Sequence, residues 1–256
     1  LKIMTDINAL KKRLEQLESS NHRVNNLWKP SPGRNLIRLV PYKMDMDNPF
    51  IELYFHYDLG GKNYLSPTSF QRPDPIEDFA KKLRASGDSE GWKLSKKLSA
   101  KMRTYVPIIV RGEEDQGVKF WGFGKTVYQE LLGFMSDPDY GDIVDPTSGR
   151  DVLVEYKSAE ELNANFPKTT IRVKPNVTPL TDNKAQLDKF LNEQKDIREI
   201  YQELTYDELA EALNAYLSPD DEEASDDGEG VTKSQMQESI EASSIDNFDE
   251  IFAEKK

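Results

Sequence analysis

The sequence predicts an α+β protein, in which a small β-barrel with helical insertions is flanked by an N-terminal helical arm and a disordered acidic C-terminal tail. Three observations predict it. Short segments of alternating apolar and polar residues dominate residues 34–174. Turns with Gly and Pro separate these segments, as is typical of small barrels. Residues 218–256 contain thirteen Asp or Glu against three Lys, which is −10 of the chain's net charge of −12 and leaves −2 for residues 1–217.

Seven segments have the pattern of strands: residues 35–41, 50–57, 62–66, 104–111, 117–123, 150–157 and 168–174. Helical periodicity predicts helices at about residues 75–86, 125–136 and 184–217, the last with a break near Thr205. These elements belong to the predicted core, residues 22–217, and the tail covers residues 218–256. Residues 1–21 form the arm, an amphipathic helix that either detaches or packs on the core. Its apolar stripe is Ile7, Leu10, Leu14 and Leu17.

The composition excludes several classes of protein. No run approaches the roughly 18 apolar residues of a membrane span, and the N-terminal residues lack the organisation of a secretory signal. The absence of cysteine excludes disulfides and thiolate metal sites, and is consistent with a reducing cytoplasm. Lys119 stands where a phosphate-binding loop ending in Gly124-Lys125-Thr126 would need glycine. His22 and His56 are the only histidines, and neither lies in a nucleophile–base motif. We therefore expect no enzymatic activity.

A basic and aromatic hairpin is the candidate binding site. Residues 92–111 contain six Lys or Arg and no acid. Because side chains alternate across a strand, Tyr105 is predicted to point away from the apolar face formed by Val106 and Ile108. In the next strand Lys119, Trp121 and Phe123 share a face. The prediction assumes a strand register that places this face on the same side of the sheet as Tyr105. Cations beside exposed rings would neutralise phosphates and stack on the unpaired bases of a single strand.

The predicted contacts to single-stranded DNA (ssDNA) are basic or aromatic residues that the pattern places outside the apolar faces. They are Arg38, Tyr64, Lys93, Lys96, Lys97, Lys101, Arg103, Tyr105, Arg111, Lys119, Trp121, Phe123 and Lys125. Two simpler interpretations stand beside this one. A basic stretch is often only a solvated face, and about two-thirds of the aromatic residues are expected in the core. The expected core members include Phe50, Phe55, Phe79 and Phe134.

Several segments resemble, in the same order, the helix-destabilising, ssDNA-binding protein family of T-even-like phages. They are Trp28-Lys29, RNLIRLVPY with NPFIELYFHY, KNYLS, the basic stretch into TYVPIIV, and VKFWGFGKTVYQELLGFM. DKFLNEQ resembles the end of that family's core, and SSIDNFDEIF resembles its C-terminal arm. The order of the segments along nearly the whole chain carries the resemblance, because each motif alone is short.

The resemblance implies an oligonucleotide-binding (OB) fold with the basic and aromatic hairpin lining a DNA cleft. It also implies cooperative self-association along DNA through a basic N-terminal arm, for which the candidates are Lys2, Lys11, Lys12 and Arg13. Leu1-Lys2-Ile3-Met4-Thr5 matches the family's Lys/Arg-rich arm motif poorly. The acidic tail would recruit replication and recombination proteins, such as a polymerase, a helicase loader and a recombination mediator. The implied location is the cytoplasm of an infected bacterial host.

The family often carries a structural zinc ion held by one His and three Cys. His56 matches the histidine position, but Asp74-Pro75-Ile76-Glu77 stands where a Cys-Pro-x-Cys pair would be. Because a structural zinc site without thiolates is uncommon, we expect no zinc and no other cofactor. His56, Asp74 and Glu77 are the only weak ligand candidates. Packing of Ile76, Phe79 and Leu83 is expected to hold the predicted helix at 75–86 instead.

The expected function is sequence-independent binding of ssDNA, which the protein coats and protects during phage DNA replication, recombination and repair. The alternative is an adaptor whose barrel and tail bind only other proteins. Titration with poly(dT) separates the two, because saturation at a few nucleotides per chain favours DNA.

Overall fold

The computed structural model describes residues 26–201 and 203–218. The predicted arm, with Lys2, Lys11, Lys12 and Arg13, and the tail beyond Ser218 lie outside the described residues. The chain divides into two compact units. Among the described residues, the first unit contains residues 26–53 and 102–201, and the second contains residues 54–101 and 203–218. The sequence pattern did not indicate this division.

All seven predicted strands are confirmed. The strands are β1 (Leu27–Trp28), β2 (Gly33–Leu39), β3 (Ile51–Leu59), β4 (Lys62–Leu65), β5 (Lys101–Val110), β6 (Lys119–Phe123), β7 (Arg150–Lys157) and β8 (Lys168–Val177). The helices are α1 (Pro75–Ala85), α2 (Ser89–Leu98), α3 (Lys125–Ser136), α4 (Ala159–Leu162), α5 (Lys184–Asn192), α6 (Ile197–Ile200) and α7 (Tyr206–Leu217). Helix α2 was not predicted, and the long pattern at 184–217 is three helices rather than two.

The strands form one mixed sheet, and this confirms the α+β class. Its main path runs β1-β6-β5-β2-β7-β8, where only the β1–β6 pair is parallel. Among the described strands β1 and β8 are the two ends of this path and do not pair with each other. The sheet is therefore open, and the predicted closure into a barrel is not confirmed. Strand β1 has two residues, which offers little backbone for a closing ladder.

The first unit buries both faces of the sheet around β5. On one face Ile37, Val106, Ile108 and Trp121 pack with Val127 and Leu131 of α3. On the other face a smaller cluster joins Val40 and Ile109 to Phe190 of α5. A helix covers each face, so few positions on the central strands remain for a ligand.

The second unit consists of the β3–β4 hairpin with helices α1, α2 and α7. Its core contains Leu59, Ile76, Ala80, Leu83, Leu94, Leu98, Leu209 and Leu213. The Asp74 carboxylate caps α1 by accepting from Ile76 N and Glu77 N, and Pro75 fits the first turn because its missing N–H is not needed there. The predicted packing of Ile76, Phe79 and Leu83 is confirmed. Of the four Phe expected in the core, Phe50 and Phe55 are buried, whereas Phe79 and Phe134 are half-buried.

Candidate nucleic-acid interface

The register of the β5–β6 hairpin decides which of the predicted DNA contacts can reach a ligand. Val106 pairs with Trp121, and Tyr105 pairs with Gly122. Directly opposed residues share a face, so Trp121 and Phe123 join the apolar face of Val106 instead of the face of Tyr105. The assumed register was wrong by one residue. Such a slip moves a whole strand's side chains to the other face of the sheet.

The rings predicted to stack on bases are therefore buried. Trp121 is 1% exposed, with its ring centroid 4.6 Å from that of Phe123 and 5.7 Å from that of Trp28. Tyr105 lies on the opposite face but is only 4% exposed, and its hydroxyl is 2.6 Å from that of Tyr201. The prediction that Tyr105, Trp121 and Phe123 face solvent was wrong, because each ring fills space between the sheet and the elements that cover it.

Arg38 was predicted to point outward and is instead fully buried. Its guanidinium donates to the carbonyl oxygens of Ile143, Asp145 and Arg150, the last at 3.1 Å. Burial lowers the pKa of Arg38 to about 10, an effect that the charge of Asp151 partly opposes. The side chain thus remains a cation at neutral pH and holds the segment after α3 against β2. It cannot contact DNA in this conformation.

Three further cations of the hairpin have partners within the first unit. Arg111 donates from Nε and Nη2 to Asp151 Oδ1, at 2.9 and 2.8 Å. Lys119 Nζ lies 3.6 Å from Glu113 Oε2. Arg103 is half-buried and donates to the carbonyl of Gly122 at 2.7 Å. Lys125 is exposed at the first turn of α3. The hairpin is therefore no continuous cationic cleft.

The second unit places a cationic and aromatic surface on α1 and α2. Residues 81–101 contain seven Lys or Arg and two acids, a local charge of +5. Trp92 is 52% exposed, and Lys96 Nζ lies 5.3 Å from the centre of its ring. Lys97 Nζ lies 5.5 Å from the ring of Tyr216. We call Trp92, Lys93, Lys96 and Lys97 the helical surface.

The other predicted contacts of the second unit differ in exposure. Lys101 is exposed, whereas Tyr64 is half-buried against the core of this unit. Within the described residues Lys93 makes an ion pair with Glu90, at 2.7 Å, and Lys96, Lys97 and Lys101 make none. The predicted exposure of the four lysines is confirmed, and their role in binding stays a prediction.

The first unit carries a second cationic surface, which the sequence reasoning missed. Register pairs Lys157 with Lys168, Leu153 with Arg172, and Arg34 with Glu155, so these basic residues share one face of β2, β7 and β8. All four are exposed. Phe166, in the connection that leads into β8, is 78% exposed. We call Arg34, Lys157, Phe166, Lys168 and Arg172 the strand surface. The sequence feature that could have indicated this surface is Phe166, an aromatic residue inside the polar segment NANFPK.

A groove of about 600 Å³ lies in the first unit between residues 114–118 and α5. Its lining includes three acids, Glu114, Asp115 and Glu193, and two lysines, Lys189 and Lys195. Carboxylates at this density repel phosphate, so the groove does not suit a polynucleotide.

His56 and Asp74 form a buried pair in the second unit. His56 Nε2 lies 2.9 Å from Asp74 Oδ2, and Nδ1 lies 2.6 Å from the carbonyl oxygen of Leu98. Burial alone would lower the pKa of His56, but the hydrogen bond and charge of Asp74 raise it overall. Burial likewise would raise the pKa of Asp74, and the hydrogen bond from His56 lowers it.

The residues around this pair do not fit the zinc ion that the resemblance implies. A structural zinc site needs four ligands, usually thiolates or imidazoles. Beside His56 and Asp74 the nearby side-chain oxygens are the hydroxyls of Ser66 and Thr68. Glu77 accepts instead from the backbone N–H of Ala100. No group of three or more potential His, Cys, Asp or Glu ligands exists in the described part of the chain.

No helix in residues 26–201 and 203–218 has the length and apolar character needed to cross a bilayer.

Comparison with known proteins identifies the family. No curated protein matches the chain. A family model described as "gp32 DNA binding protein like" matches residues 31–217, which include every described strand except β1 and every described helix. Since this match covers well over half of the sequence, the chain belongs to the gp32-like family of DNA-binding proteins.

Proposed function

We propose that this DNA-binding protein is a non-enzymatic protein that binds ssDNA independently of sequence. The observation that carries the proposal is the helical surface, where the exposed ring of Trp92 lies beside the ammonium group of Lys96. A large exposed ring in a region of charge +5 supplies both interactions that a single strand offers, base stacking and phosphate neutralisation.

The strand surface supports the same function in the first unit. Phe166 exposes most of its ring, and Lys157 and Lys168 lie opposite each other at the end of the β7–β8 ladder. Ring faces and ammonium groups recognise features that all nucleotides share, whereas sequence is recognised through base edges. Contacts of this kind support the proposed binding without sequence preference.

The test is oligo(dT) binding by the full chain, measured by anisotropy of a labelled strand. Trp92→Ala should weaken binding roughly fivefold to 150-fold, which corresponds to the loss of one stacked base at about 1–3 kcal/mol. The matched control is Leu132→Ala, which removes an exposed apolar side chain from a different helix, α3. This substitution should leave the affinity unchanged. Equal affinities of the Trp92→Ala variant and the wild type would remove Trp92 from the interface. Absence of any binding by the wild type would favour a protein adaptor.

The wider role is also part of the proposal. The protein would coat intermediates of phage DNA replication, recombination and repair in the cytoplasm of an infected bacterial host, assembling along DNA through its N-terminal arm. An OB-type arrangement of the sheet is the corresponding proposal for the fold. The acidic tail would recruit partners such as a polymerase, a helicase loader and a recombination mediator. The charge difference between residues 218–256 and the remainder supports a separate role for the tail.

A further inference from the structure

We propose that the second unit folds without zinc, and that a buried cluster of His56, Ser66 and Asp74 holds its helices in place. We call these three residues the polar cluster. All three are buried, and they come from β3, from the residue before the Pro67–Phe70 turn, and from the N-cap of α1. The inference concerns the construction of this unit, so it does not depend on the proposed binding of ssDNA.

The polar cluster connects α1 to α2, the helix that carries the helical surface. His56 Nδ1 donates to the carbonyl oxygen of Leu98, the last residue of α2. A carbonyl oxygen only accepts, so this nitrogen carries a proton and has no lone pair for a metal. At the other side of the ring Nε2 contacts Asp74, the cap of α1. One imidazole thus joins the end of α2 to the beginning of α1.

The polar cluster is also complete as a hydrogen-bonded network. Asp74 Oδ1 accepts from Ile76 N at 2.9 Å and from Glu77 N at 3.1 Å, and Oδ2 contacts His56 and the Ser66 hydroxyl. None of the buried side-chain polar atoms that lack a partner in the described residues belongs to it. A buried pair that is fully hydrogen-bonded avoids the cost of an unpaired charge. A metal would have to break these contacts, so zinc binding would oppose the cluster rather than add to it.

The first experiment uses the wild-type full chain, expressed with added zinc. We expect far less than one zinc per chain by elemental analysis. Hydrogen exchange of the α1 and α2 amides should be unchanged by a chelator or by added Zn²⁺, with the β7–β8 amides as an internal reference. One zinc per chain, with faster α1 and α2 exchange once a chelator removes it, would overturn the proposal.

The second experiment separates capping from the buried pair. Asp74→Asn keeps a good cap but loses the carboxylate, and should speed α1 and α2 exchange by at least about tenfold, as for a lost hydrogen bond to a charged group. Asp88→Asn is the matched control, because Asp88 caps α2 at Gly91 N and is exposed. Asp88→Asn should speed the exchange of the α1 and α2 amides far less than Asp74→Asn does. Equal effects of the two substitutions would contradict a special role for the polar cluster.

A double substitution gives the sharpest outcome. His56→Leu should destabilise the second unit, since it leaves the Asp74 carboxylate buried without its partner. In that background Asp74→Asn should slow exchange, although the same change speeds it in the wild type. If these residues held zinc, the α1 and α2 amides of the double variant would instead exchange at least as fast as those of either single variant. Should His56→Leu fail to fold, the metal analysis and the chelator experiment on the wild type still decide.

Discussion

At the residue scale, Arg38, which the sequence pattern placed outside, is the most buried Lys or Arg among the described residues. The side chain of Arg38 fills the space above Gly149, where an added Cβ would lie 2.6 Å from the guanidinium carbon. Only glycine leaves room for the guanidinium to reach the carbonyl oxygens around it. Alternation along β2 shows which face a side chain occupies, but not whether another segment later covers that face.

We predict that Gly149→Ala destabilises the first unit by about 1–3 kcal/mol or more, because the methyl group overlaps the guanidinium of Arg38. Gly133→Ala is the control. A Cβ added there would meet no atom within 4 Å apart from the neighbouring residues and backbone of α3, so replacing this flexible glycine in a helix should stabilise by about 0.5–1 kcal/mol. Urea unfolding of both variants measures the difference. A Gly149→Ala variant as stable as the wild type would show that Arg38 has an alternative conformation.

Asp145 organises the turn that follows α3. Its carboxylate accepts from the hydroxyl of Thr147 at 2.7 Å, and from the backbone N–H groups of Ser148 and Thr147 at 2.7 and 2.8 Å. These hydrogen bonds, led by that of the Thr147 hydroxyl, hold the pKa of Asp145 far below its usual range. Such a carboxylate stabilises the folded state in full above its unfolded pKa of about 3.9, and this contribution is lost progressively as the pH falls from there through the lowered folded-state pKa.

Asp145→Asn should therefore lower the free energy of unfolding at pH 7, and by a smaller amount near pH 2.5, because the contribution of the charge disappears fully only below the lowered folded-state pKa. The measurement is chemical unfolding of the wild type and the variant between these two pH values. The difference between the two proteins should shrink steadily below about pH 4. A difference that stays constant with pH would mean that the charge of Asp145 contributes nothing.

At the element scale, the exposed aromatic ring beside the cations lies on helix α2, which the sequence pattern did not predict, and not on the β5–β6 hairpin. The hairpin is confirmed as a hairpin, but its rings belong to the core. The basic stretch before β5 is a helix whose N-cap is Asp88, and it exposes Trp92. The strands were predictable because their period of two is local. The hairpin register was not predictable, since Trp121 packs against Trp28, which is far away in sequence.

The different burial of Trp121 and Trp92 gives a stability prediction. Trp121→Ala should destabilise the protein by about 3–5 kcal/mol, as expected for a buried aromatic side chain in a well-packed core. Trp92→Ala should change stability by no more than about 0.5 kcal/mol, because its ring is half exposed. Thermal or chemical unfolding measures both. A small effect of Trp121→Ala would contradict the hairpin register described above.

At the scale of the whole molecule, the charge is divided between a nearly neutral body and an acidic C-terminal region. Residues 218–256 carry −10, whereas residues 81–101 carry +5. Opposite charges on one chain attract at low ionic strength and are screened at high ionic strength. We therefore propose that the tail competes with DNA phosphates for these cations.

Deleting residues 218–256 should raise affinity for oligo(dT) and increase duplex-melting activity at low salt, and the difference should diminish as salt is added. Titrations of both proteins at several salt concentrations test this. As a control, a tail of equal length with its acids replaced by Asn and Gln should behave like the deletion. Unchanged affinity after the deletion would reject competition between tail and DNA.

The sequence by itself determined the existence of the strands, the positions of α1 and α3, the concentration of cations in residues 92–111 and, through the order of its motifs, the DNA-binding family. These features are local, or depend only on their order along the chain. The tertiary structure alone decided that Trp121 and Arg38 are buried, that Trp92 and Phe166 are exposed, and that His56 meets Asp74. Each of these depends on strand register or on contacts between segments far apart in sequence, which the periodicity of a single segment does not encode.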